Sequence, residues 1–126
     1  MHENDIAKIV VDAAYKIHTR LGPGLLESAY QVILAYELRT RGLRVETEVT
    51  MPVTYEGVSL EIGFRADMVV EDLVILELKS VENVADVHKK QLLTYLRASG
   101  KRLGLLINFG APIIRQGITR IVNGLV

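Results

Sequence analysis

Apolar positions recur at helical spacing at the start of the chain. Ile6, Ile9, Val10, Ala13 and Ile17 share one face of a 3.6-residue period, so a helix is expected there, capped by Asn4 or Asp5. Gly22-Pro23-Gly24 breaks the pattern just after Leu21. A second helix is expected from about Leu25 to Arg41, with Leu26, Ala29, Tyr30 and Ile33 on one face and Gly42 ending it. The period then changes. Leu43 to Thr50 alternates, with Leu43, Val45, Thr47 and Val49 on one side, as in a half-solvated strand. Glu56-Gly57 reads as a turn between Val53–Tyr55 and Val58–Ile62. Phe64–Val70 and Leu73–Lys79 read as two strands joined near Glu71-Asp72. The second is almost continuously apolar, which suggests a central strand covered on both faces. A third helix from about Ala85 to Ala98 stops at Gly100, and strands follow at Leu103–Asn108 and Ile118–Val122. Two helices, a run of strands, a helix and further strands give an α/β or α+β sandwich with the sheet in the middle.

Composition changes this picture little. The 126 residues suit one domain, taken as 1–126, with no linker or repeat to divide it. Fifteen basic and fifteen acidic side chains cancel, so any grip on nucleic acid must be local rather than a property of the whole surface. The absence of cysteine excludes disulfides, thiolate metal sites and cysteine nucleophiles. The polar start, Met1-His2-Glu3-Asn4-Asp5, is unlike a signal peptide, and no apolar run is long enough to span a bilayer. The expected compartment is the cytoplasm, with no membrane partner.

Chemistry concentrates in Leu73-Val74-Ile75-Leu76-Glu77-Leu78-Lys79. Residues two apart share a strand face, so Glu77 and Lys79 point the same way as Ile75. Burying a lone charge costs several kcal/mol or more, so these groups need partners or a cation. Asp67, on the preceding strand, can supply a second carboxylate. A two-residue turn at Glu71-Asp72 would put Asp67 opposite Leu76, on the wrong face. A loop centred on Asp72, or a bulge, puts it opposite Glu77, and that register is the expectation. Two close carboxylates repel unless a proton or cation intervenes, and Mg²⁺ would suit such oxygen ligands. A structural ion-pair network would leave the same spacing.

With these residues in place, the sequence resembles the PD-(D/E)XK nuclease superfamily. Asp67, Glu77 and Lys79 match its Asp…Glu-x-Lys signature. It resembles in particular the GxxExxY branch, through Gly24-Leu25-Leu26-Glu27-Ser28-Ala29-Tyr30, with Arg65-Ala66-Asp67, Gln91 to Leu96 and Leu105 to Gly110 continuing the likeness over almost the whole chain. The resemblance implies a restriction-endonuclease-like core, a four-stranded mixed sheet flanked by helices. It also implies a phosphodiester-cleaving activity on DNA ahead of RNA. Asp67, Glu77 and the Leu78 carbonyl would then hold Mg²⁺ or Mn²⁺, and Lys79 would orient the attacking water. Glu27 would serve the metal directly or through a water, and Gln91 and Tyr95 would border the site as a Gln-x-x-x-Tyr motif.

Plainer readings stand beside these. Glu27 suits a helix N-terminus, Tyr30 suits a core, and Gln91 and Tyr95 suit the polar border of an amphipathic helix. His18 and His88 read as structural, since their spacing makes no zinc motif. Glu37 and Lys89 fall on apolar helix faces, and only Glu37 has an evident partner, Arg41. Lys89-Lys90, Arg97, Lys101-Arg102, Arg115 and Arg120 read better as ordinary surface than as a phosphate-tracking rim. The competing functions are a non-catalytic nucleic-acid- or protein-binding module that keeps the fold, and a regulatory metal-binding subunit. A domain this small invites a second copy, as a homodimer, to surround DNA.

Overall fold

The structure is a computed structural model and describes residues 1–125. Its elements run α1 (Glu3–Leu21), α2 (Glu27–Thr40), β1 (Val45–Tyr55), β2 (Val58–Val70), β3 (Val74–Lys79), α3 (Asp86–Ser99), β4 (Leu103–Asn108), α4 (Ile114–Gly117) and β5 (Ile118–Val122). One mixed sheet holds the strands in the order β1-β2-β3-β4-β5. Only the β3–β4 pair is parallel, with α3 as the crossover between them. The sheet has five strands, one more than the four-stranded core implied by resemblance, because β5 extends it antiparallel to β4.

Helices cover both faces. α1 and α2 pack with Met68, Val70, Val74, Leu76, Leu78, Leu105 and Ile107 in one core. Leu92 and Leu96 of α3 pack on Ala66, Val69, Ile75 and Leu106 in the other. β3 is therefore covered on both sides, as its sequence suggested, and its only incompletely buried residues are Glu77 and Lys79.

Several local expectations are corrected. The cap of α1 is His2, which accepts from the Asn4 N–H, while Asp5 three residues into the helix bonds back to the His2 N–H. Leu26 is not on the buried face of α2. It is the extended residue before the helix, 77% exposed, and Tyr30, Leu34, Ala35 and Leu38 form the buried stripe. Of the other residues expected on that face, Tyr30 is buried and Ile33 packs partly buried against the same core, so the error lies chiefly at Leu26. The separate strands expected at 43–50 and 53–55 are one, β1, and those at 58–62 and 64–70 are likewise one, β2. Together they make a long hairpin turned at Glu56 and Gly57, both left-handed.

This hairpin changes layers part-way. Leu43 and Val45 join the α1/α2 core, yet Val49, Met51 and Val53, in step with them, pack on the α3 core. Across the ladder, Phe64 and Ala66 belong to the α3 core and Met68 and Val70 to the other. The exchange falls at Glu48, whose φ of 51° breaks the strand geometry, and at its partner by register, Asp67.

Candidate active site

The β2–β3 turn decides which side chains meet. Glu71 and Asp72 are both left-handed, and the Leu73 N–H donates to the Val70 carbonyl at 3.0 Å. Leu73 is then an extra residue, and pairing resumes as Val70↔Val74, Val69↔Ile75 and Met68↔Leu76. Continued one step, this register sets Asp67 across from Glu77, the arrangement the sequence favoured. Here side chains take over from the backbone ladder. The Asp67 N–H donates to Glu77 Oε1 at 3.3 Å, and the Leu78 N–H donates to Asp67 Oδ2 at 2.8 Å. Each carboxylate is thus fixed by the other strand's backbone.

Electrostatics follows from that geometry. Burial pushes the Glu77 carboxyl up to about 8, reinforced by the Asp67 charge and by a side-chain hydrogen bond to Asp67, with the Lys79 ammonium pulling the other way. Partial loss of solvent also raises Glu27, opposed by Lys79, reinforced by Asp67 and opposed by His88. Glu27 keeps much of its surface in water, but its carboxylate feels all three groups. Tyr95 is raised by burial and by the charges of Glu77 and Asp67, with the Gln91 side chain acting against them. Its ring stacks on Phe64, with centroids 4.1 Å apart. Thus Glu27, Asp67, Glu77, Lys79, Gln91 and Tyr95, from two helices and two strands, face one region.

What brings Glu27 there was only partly visible in the sequence. Tyr30 is fully buried and stacks on Phe109, centroids 4.4 Å apart. Its hydroxyl donates to the Gly22 carbonyl and accepts from the Leu25 N–H, pinning the Gly-Pro-Gly loop just ahead of Glu27. Ser80 Oγ donates to the Leu25 carbonyl at 2.7 Å, joining that loop to the residue after Lys79. Asn108, which stands out in the sequence only as part of the Leu105 to Gly110 run, is 3% exposed and paired in register with Lys79. Its side chain bonds the N–H and carbonyl of Val81 and the N–H of Gly110, so the chain leaving the site is held at both ends. Buried asparagine in an apolar strand was the signal available for it.

Other singled-out residues lie elsewhere. His18 bonds the Ala111 carbonyl at 2.7 Å, a structural role. Glu37 is satisfied by Lys16 at 2.7 Å as well as Arg41 at 3.5 Å. Lys89 lines a polar cleft with Glu82, Asn108 and Gln116. Lys101 pairs with Asp72 and Arg102 with Glu3, at the end of the sheet away from Lys79, so neither belongs to a rim around the site.

Among the described residues, no three His, Asp or Glu side chains gather closely enough to hold an ion by themselves. The donor set nonetheless fits a hard divalent cation. Two carboxylates are fixed side by side, and burial together with the Asp67 charge makes one of them hold its proton to about 8, a repulsion that a hard cation would relieve.

A model of the PD-(D/E)XK nuclease superfamily matches residues 4–121. The chain belongs to the PD-(D/E)XK nuclease superfamily. No curated protein and no solved structure matches it. The superfamily match takes in every residue of the site just described, from Glu27 to Tyr95, and both helical layers. Divalent metal and a nucleic-acid substrate are general to PD-(D/E)XK nucleases, and the mixed sheet between helices accords with their architecture. No helix among the described residues is long and apolar enough to cross a membrane.

Proposed function

We infer that residues 1–126 act as one nuclease domain of the GxxExxY branch. In this reading the domain hydrolyses phosphodiester bonds in DNA ahead of RNA, with Mg²⁺ or Mn²⁺, in the cytoplasm. The observation that carries the reading is the interlocked pair Asp67 and Glu77, each bonded to the other strand's backbone, with Lys79 on the same strand face as Glu77. Asp67, Glu77 and the Leu78 carbonyl would hold the cation, with Glu27 serving it directly or through a water. When bound, the cation neutralises the carboxylates, acidifies a nearby water and offsets charge in the transition state. Lys79 orients the attacking water and meets charge growing on the phosphate. Tyr95 and Gln91 border the substrate. A second copy would complete the grip on a duplex.

The test is cleavage of single-stranded, duplex and branched DNA and of RNA, in Mg²⁺, Mn²⁺ or EDTA. Metal-dependent cleavage is expected, falling by about a hundredfold or more in Glu77→Ala and Lys79→Ala. Balanced charge favours the alternative, a binding module that keeps the fold. Absence of cleavage on every substrate, with nucleic-acid or protein affinity preserved in Lys79→Ala, would establish that alternative instead.

A further inference from the structure

The distal half of the β1–β2 hairpin is a ribbon with one apolar face. Val58 and Leu60 alternate along β2, Ile62 follows them in the stretch where the register shifts, and Tyr55 pairs with Val58 across the ladder. They are 61%, 52%, 76% and 69% exposed, respectively. This face continues the one on which Phe64 meets Tyr95, but α3 stops covering it there. The ribbon is also acidic. From Val45 to Phe64 it carries Glu46, Glu48, Glu56 and Glu61 and no lysine or arginine. It therefore repels phosphate, and two such ribbons repel each other.

On the α1 side of the sheet, at the opposite edge, lies a groove of about 730 Å³ between α1 and β5. A cavity of about 270 Å³ continues it towards α4 and shares Val11, Tyr15 and Ile118 with it. Its apolar floor is partly uncovered, with Tyr15 60% and Ile113 52% exposed. Its charged border is mainly basic: Lys8, Arg115 and Arg120, against Asp12, which is already paired with Arg41. β5 beside it is an edge strand.

We propose that the acidic β1–β2 ribbon of one copy of this chain seats its apolar face in the basic-bordered α1–β5 groove of another copy. Charge selects this pairing over ribbon against ribbon, and the apolar surface exposed on each side is of the kind that marks interaction sites. Ribbon and groove occupy opposite edges of the sheet, so the contact runs head to tail. It specifies how copies associate without depending on any nuclease activity.

Sedimentation velocity tests this on the full chain and two variants, with circular dichroism confirming that each is folded. One variant damages the ribbon, Leu60→Ser with Ile62→Ser. The other damages the groove, Lys8→Glu with Tyr15→Ser. All four side chains are at least half exposed or on the outer surface, so the fold should survive. Wild type is expected to associate increasingly with concentration and less at high salt. Each variant alone should associate about tenfold more weakly or not at all. An equimolar mixture retains one intact ribbon and one intact groove, and should form a 1:1 species that grows no further. A monomeric wild type overturns the proposal and leaves the ribbon to a different protein. Undiminished association of either variant alone, or a mixture that stays monomeric, overturns it equally.

Discussion

Glu77 and Glu37 are both carboxylates in contact with a lysine's field, yet they respond to pH with opposite sign. Burial and Asp67 raise Glu77 to about 8, so the metal-free folded state holds a proton that the unfolded chain has released above roughly pH 4.3. Stability should therefore fall as pH rises from about 5 to 8. Glu77→Gln should abolish that slope in urea titrations, and added Mg²⁺ should oppose it. Glu37 is lowered, first by its hydrogen bond to Lys16, so its contribution is present above the ordinary carboxylate pKa and is lost as pH falls through the lowered one. Glu37→Gln should flatten only the acid limb. Tyr30→Phe tests a different residue. It keeps the Phe109 stack but drops the hydroxyl that holds the Gly22–Leu25 loop, and should cost about 1–2 kcal/mol in urea unfolding. Turnover should fall further than stability, because Glu27 follows that loop. At this scale the sequence was informative where burial conflicts with charge. Glu77 and Lys79 stood out in an apolar strand, whereas the Tyr30 hydroxyl and Asn108 amide act through contacts that only the folded chain creates.

Among the elements, α1, β3 and β4 were legible because long apolar periodicity or continuous apolar runs leave few alternatives. The hairpin was not. Its sequence reads as four short strands, whereas Pro52 lies within edge strand β1 at an irregularity in the register, and Gly63 leaves room for Val53, which its own Cβ would strike. The same logic applies to Gly104 on β4. A Cβ there would lie 2.9 Å from Leu92 Cδ1 and 3.0 Å from its Cγ, and Leu92 is fully buried. Gly104→Ala should push α3 off the sheet and destabilise by about 1–3 kcal/mol in urea unfolding. Because α3 carries Gln91 and Tyr95, cleavage should weaken in the same variant even where it remains folded.

For the molecule as a whole, the balance of fifteen positive and fifteen negative side chains limits how it meets a polyanion. Lys16, Arg41, Lys101 and Arg102 are already engaged with acids. Duplex affinity, measured by fluorescence anisotropy with Ca²⁺ in place of Mg²⁺, should depend weakly on salt, with a slope equivalent to about two or three phosphates per protomer. A steep slope would mean a basic surface assembled only on association. The pairing of Arg102 with Glu3 has a consequence for how the chain reaches this state. It joins residues 99 positions apart, and Arg120 reaches Asn4 across 116. The β1–β2 hairpin, by contrast, closes through a two-residue turn. Loop closure therefore favours an early hairpin and late docking of α1 against β4 and β5. Amides of α1 should accordingly exchange with deuterium ahead of those in β3 and β4, through openings that leave the central strands intact.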